Sequence, residues 1–109
     1  MNAKAKGTRA ELRCIKELEA EGYLCTRAGA SLGAFDVVAL LPGDRIGTHN
    51  RALFIQVKSG TSKLSRKDRD ELARIAPVSN EIFVEYWHWD RKWTTRQRVN
   101  HCTGLWTAF

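Results

Sequence analysis

The stretch from Ala34 to Lys58 constrains this chain most: an apolar run, AFDVVALL, is followed by a polar segment, PGDRIGTHN, and then by FIQVKSG after a short link. Side chains of a β-strand alternate between its faces, and residues two apart lie roughly 6.5 Å from each other on one face. In LFIQVK this places Leu53, Ile55 and Val57 on one side and Phe54, Gln56 and Lys58 on the other, with Gln56 and Lys58 side by side. In FDVVALL the apolar residues fall on both faces, the pattern of a central strand covered on both sides, yet Asp36 interrupts the run near its start. A carboxylate withdrawn from water is costly unless it is paired or metal-bound. Asp36, Gln56 and Lys58 therefore form the first candidate site.

Upstream, from about Ala3 to Gly22, Leu12, Ile15 and Leu18 recur at helical spacing and Gly22 supplies a stop. Glu11 shares that stripe with Ile15 and Leu18. Its carboxylate either turns toward the interior edge or simply extends past the apolar face. Lys4, Lys6, Arg9 and Arg13 crowd the first turns, where positive charge opposes the helix dipole; a phosphate backbone or a solvated end accommodates them. Tyr23 to Arg27 reads as a short strand, and AGASLGA as a loop of small residues that lets backbone approach a ligand. Ser31 lies in that loop, without the G-x-S-x-G elbow or paired histidine of a hydrolase nucleophile.

Between the two apolar strands, PGDRIGTHN reads as an exposed hairpin connection. Beyond Lys58, Ser65 and Asp68 form an S-x-x-D cap that opens a helix through about Ala76, stopped by Pro77. Lys63, Arg66, Lys67 and Arg69 gather where this helix begins, a solvated face or a contact for an anionic partner. The remainder alternates as strands: EIFVEYWHW, a DRK turn, KWTTRQRV, and an apolar tail, GLWTAF. Trp87, Trp89 and Trp93 fall on this hairpin near Tyr86. They are read as a subunit contact in preference to a platform on which unpaired bases stack beside Arg91, Lys92, Arg96 and Arg98.

A chain of 109 residues holds one hydrophobic core, and a single domain spanning 1–109 is expected. Eighteen Lys and Arg against twelve Asp and Glu leave a net charge of +6, which favours a polyanionic partner, nucleic acid first. Cys14, Cys25 and Cys102 are odd in number and lack C-x-x-C spacing, so neither a disulfide framework nor a zinc site is expected. No run approaches the roughly 18 apolar residues of a membrane span, and MNAKAKGTRAE lacks the apolar core of a signal peptide. The expectation is a cytoplasmic protein with reduced thiols and no membrane contact.

Glu11 on a helix, Asp36 on a strand and the Gln56-Val57-Lys58 tripeptide on the next resemble, in order and spacing, the PD-(D/E)XK nuclease superfamily. Within it the chain is most similar to the archaeal-type Holliday junction resolvases, which also occur in phages. KGTRAE at Lys6 to Glu11 looks like their N-terminal motif, RAGASLGAFDVVAL like their serine loop and aspartate strand, and FIQVKSG occupies the place of their E-x-K strand. The likeness covers nearly the whole chain. It implies an α/β fold, a restriction-endonuclease-like mixed β-sheet flanked by helices in the order α-β-β-β-α-β-β.

By the same resemblance Glu11, Asp36, Gln56 and the Val57 carbonyl are metal ligands, Ser31 an active-site hydroxyl, and Lys58 the residue that orients water or steadies the scissile phosphate. The cofactor implied is Mg²⁺, with Mn²⁺ able to substitute. The partners implied are four-way junction DNA, met by Lys4, Lys6, Arg9, Arg27, Lys63, Arg66 and Lys67, and a second copy of the chain, joined through the aromatic hairpin and tail. Two departures stand out: Gln56 replaces the family's glutamate, and the segment between Ser31 and Asp36 is short. Losing one formal charge predicts weaker metal binding while keeping an oxygen ligand. Two other readings stay open: a nuclease of the same scaffold acting on flaps, nicks or a specific sequence, and a module that binds junctions without cutting them.

Overall fold

The computed structural model describes residues 3–28, 35–43, 50–61, 63–79, 81–90, 93–99 and 106–108, and at 3–6 and 93 the backbone only. Two helices and six strands follow one another as α1 (Ala3–Ala20), β1 (Leu24–Arg27), β2 (Val37–Leu41), β3 (Arg51–Ser59), α2 (Arg66–Ile75), β4 (Ile82–Asp90), β5 (Trp93–Val99) and β6 (Trp106–Ala108). The strands form one mixed sheet in chain order, antiparallel throughout except where β3 meets β4. That parallel pair needs a crossover, and α2 provides it. The segment read as an apolar tail contributes the eighth element: Trp106 pairs with Val99 and Ala108 with Gln97.

Local signals explain where the elements stop. The amides of Gly22 and Tyr23 reach back to the carbonyls of Glu19 and Leu18, both at 3.0 Å. Gly22 takes φ +98°, a conformation that costs glycine little and closes α1 with its last carbonyls satisfied. At the head of α2, Ser65 Oγ accepts from the amide of Asp68 at 3.1 Å, which is the expected cap.

The two helices cover opposite faces. Ala10, Cys14 and Leu18 of α1 pack on Val37, Ala39, Leu53, Ile55 and Val57, with Tyr23 and Trp87 completing that core. On the other face Leu72, Ala73 and Ala76 meet Val84, Tyr86, Val99 and Trp106. The alternation expected for β3 holds, with Leu53, Ile55 and Val57 buried and Phe54, Gln56 and Lys58 half-buried. For β2 the expectation of cover on both sides is corrected: Val37 and Ala39 are fully buried, but Leu40 is 44% exposed. The cluster that packs with α2 draws its strand residues, Val84, Tyr86, Val99 and Trp106, from β4 to β6 and none from β2.

In the aromatic hairpin the expectation is corrected at Trp87. Trp87 is 1% exposed and belongs to the core rather than to a subunit surface. Arginines occupy the ring faces that unpaired bases would need: Arg96 over Trp87 and Arg98 over Phe83, each 4.0 Å from the centroid, and Arg13 over Trp89 at 4.0 Å. Such stacking keeps the charged heads wet while their planes cover apolar surface. Arg96 is further tied to Glu17 of α1 and to Glu21 just beyond it, so Arg96 and Arg13 lock helix to sheet. Trp93's side chain, Arg91 and Lys92 lie outside the described residues. No helix among the described residues is long and apolar enough to cross a membrane.

Candidate active site

Asp36 sits one residue before β2, opposite Gln56 in the register that pairs Val37 with Ile55. Its amide donates to the Ile55 carbonyl at 2.9 Å, the last backbone link between the two strands among the described residues. β3 continues beyond this point, and its next inward amide, that of Val57, donates to Asp36 Oδ2 at 2.8 Å. The carboxylate thus accepts a backbone amide of the neighbouring strand. Gln56 Nε2 donates to the same oxygen at 3.0 Å. In an antiparallel ladder a residue's N–H and C=O face the same neighbour, so the Val57 carbonyl lies on the edge of β3 that meets Asp36.

Burial pushes the Asp36 carboxyl above the usual carboxylate range, while the Val57 amide, the Lys58 ammonium and the Arg27 guanidinium pull it back. Desolvation wins, because none of these cations forms a hydrogen bond with it among the described residues. Glu85 is the instructive contrast. It is 1% exposed, yet its Oε2 accepts from Arg98 Nη2 at 2.6 Å and Nε at 3.0 Å, and its Oε1 from Trp87 Nε1 at 2.9 Å. One withdrawn carboxylate has a dedicated arginine fork and is structural. The other is half-buried, accepts from the Val57 and Gln56 amides, and has Lys58 and Arg27 near it with no hydrogen bond from either among the described residues.

The remaining candidates fall around this centre in different ways. Lys58 follows Gln56 on the same face of β3, close enough to Asp36 to influence its ionisation. Glu11 is half-buried on α1 and accepts from Arg27 Nε at 3.1 Å, while Arg27 Nη2 reaches Thr8 Oγ1 at 3.4 Å. Arg27, expected to be a DNA contact, is exposed and pairs with Glu11, and its charge also acts on the Asp36 carboxyl. Ser31 lies outside the described residues. Lys4 and Lys6 belong to α1, with their side chains outside the described set, whereas Arg9, Lys63, Arg66 and Lys67 are exposed.

Sequence reasoning missed three neighbours. His88 pairs with Lys58 across the parallel β3–β4 ladder, and its Nε2 donates to the Gly60 carbonyl at 2.8 Å, fixing the turn that follows β3. Asp68 and Glu71 of α2 line a cavity of about 180 Å³ together with Gln56, Lys58, Leu64 and Leu72. The register of a crossover fixes these meetings, and no short-range spacing encodes it. Among the described residues no group of three or more His, Cys, Asp or Glu side chains converges as a metal cluster; the expected ligand set contains two, Glu11 and Asp36. Its donors are all oxygen, which suits a hard divalent ion such as Mg²⁺.

Comparison with protein-family models, with curated proteins and with solved structures finds no match.

Proposed function

We propose that this chain is a metal-dependent, structure-selective DNA endonuclease that resolves four-way junctions, on a restriction-endonuclease-like sheet. One observation carries the reading: the half-buried Asp36, hydrogen-bonded to no arginine among the described residues, is held against the Val57 amide and Gln56 with Lys58 beside it. The net charge of +6 supplies attraction for a polyanion, and exposed Arg9, Lys63, Arg66 and Lys67 are available to phosphates.

In this mechanism Asp36, the Gln56 amide oxygen, the Val57 carbonyl and Glu11 would hold a divalent ion. When bound, the ion supplies an activated water and neutralises charge on the phosphate. Lys58 binds a phosphate oxygen as a compact cation and orients the scissile group. Arg27 holds Glu11 in place and keeps the field around Asp36 positive. Cutting a symmetric junction at paired positions calls for two copies of the chain, so the active species is a homodimer.

A second reading has its own support. Gln56 spends its amide donor on Asp36, and Glu11 is neutralised by Arg27, a poor arrangement for gathering a cation and a good one for a module that binds junctions uncut. A labelled four-way junction with Mg²⁺ or Mn²⁺ separates the two. The nuclease reading expects symmetric nicks, intact linear duplex, and loss of cleavage with retained binding in Asp36→Asn. Tight binding with no cleavage under either ion overturns it.

A further inference from the structure

The cavity between β3 and α2 has a lining that the phosphodiester chemistry leaves unused. Gln56 and Lys58 form its sheet side, Leu64 and Leu72 its apolar walls, and Asp68 and Glu71 of α2 its acidic side. At about 180 Å³ it exceeds the roughly 150 Å³ that accepts benzene in an engineered protein, so one aromatic heterocycle fits. The two carboxylates repel a phosphate. Lys58, on the opposite side, repels an amine. What the lining admits is a neutral, flat group with N–H donors on one edge and apolar faces, which is the chemistry of a nucleobase.

The geometry points to this cavity as a receptor for one unpaired base of the DNA, with Asp68 and Glu71 accepting hydrogen bonds from its amino edge. The inference rests on the reading of Lys58 as a phosphate contact, since Lys58 both lines the cavity and acts on Asp36. A carboxylate accepts from the exocyclic amino group of cytosine, and guanine and adenine carry amino groups too. Thymine has none, and its carbonyl oxygens face acceptors. The receptor therefore discriminates against thymine. Glu71 is also paired with Arg74 at the surface, which leaves Asp68 as the less encumbered acceptor.

The test is a titration of the full chain, with ¹³C-labelled leucine methyls, by dCMP, dGMP and dTMP, alongside junction cleavage. The expected result is shifts at the Leu64 and Leu72 methyls with dCMP and dGMP, weaker ones with dTMP, and a loss of affinity of about tenfold in Asp68→Asn/Glu71→Gln. A thermal melt of that variant close to the parent shows that the loss is local. Leu64 and Leu72 methyls unmoved by all three nucleotides overturn the inference, whether or not the junction is cut. Shifts that follow the amino-bearing bases support it even if no cleavage is seen, in which case the nuclease reading alone falls.

Discussion

Glu85 and Arg98 face each other across the β4–β5 ladder, and a single carboxylate oxygen, Oε2, accepts from both Nε and Nη2 of the guanidinium. With Glu85 1% exposed, removing its partner leaves a charge buried with, among the described residues, only the indole N–H of Trp87 to satisfy it. Arg98→Ala is expected to lower stability by about 3–5 kcal/mol, measured as the shift in urea midpoint at constant slope. Arg98→Lys recovers only part of this, because an ammonium cannot reproduce the planar fork. A loss below about 1 kcal/mol for the alanine variant would show that the pair is better hydrated than its geometry implies.

Asp36 carries the opposite sign. Its folded-state affinity for a proton is raised by burial, so the native chain binds more protons than the unfolded chain in the window just above the ordinary carboxylate range. Stability from this group is present below the unfolded value and lost as pH rises through the folded one. Asp36→Asn keeps an acceptor for the Val57 amide and removes the charge, so it is expected to raise the melting temperature at pH 7 without divalent ions and to flatten the acid-side dependence. Melts of both proteins from pH 3 to about pH 7 check this; an equal or lower melting temperature for the variant at neutral pH would contradict it.

Gln56→Glu tests the missing charge directly. It replaces an amide donor to Asp36 by a second carboxylate, so the metal-free protein is expected to melt earlier than the parent. With Mg²⁺ the order is expected to change, because tenfold tighter ion binding adds about 1.4 kcal/mol at saturating ion. The readout is the difference in melting temperature with and without Mg²⁺, larger in the variant. A Mg²⁺ response equal to that of the parent would remove Gln56 from the proposed ligand set.

Ser65→Ala removes the acceptor for the Asp68 amide and is expected to cost about 1 kcal/mol. Because α2 also forms the acidic side of the cavity, the loss should appear as faster hydrogen exchange in the first turn of α2 with the sheet unaffected.

Much of this fold was legible because the relevant signals are local. The two-residue period through Leu53 to Lys58, the Ser65 cap and the Gly22 stop each depend on neighbours within a few residues. What stayed hidden depends on pairings between distant segments. Nothing near Arg27 in the sequence announces that Glu11 is its partner sixteen residues away, and Asp68 reads as a capping residue until the crossover brings it over Lys58. The rule that singled out Asp36, a carboxylate inside an apolar run, applies equally to Glu85 in EIFVEYWHW. Only the structure separates them, by giving one an arginine fork and the other none.

Because the Val57 amide ends on a side chain and not on the next strand, its proton is a resident spectroscopic probe of the Asp36 charge. Its chemical shift and solvent exchange should follow protonation of that carboxylate, and any cation that competes for the same oxygen, at a single backbone position that no added label has to mark.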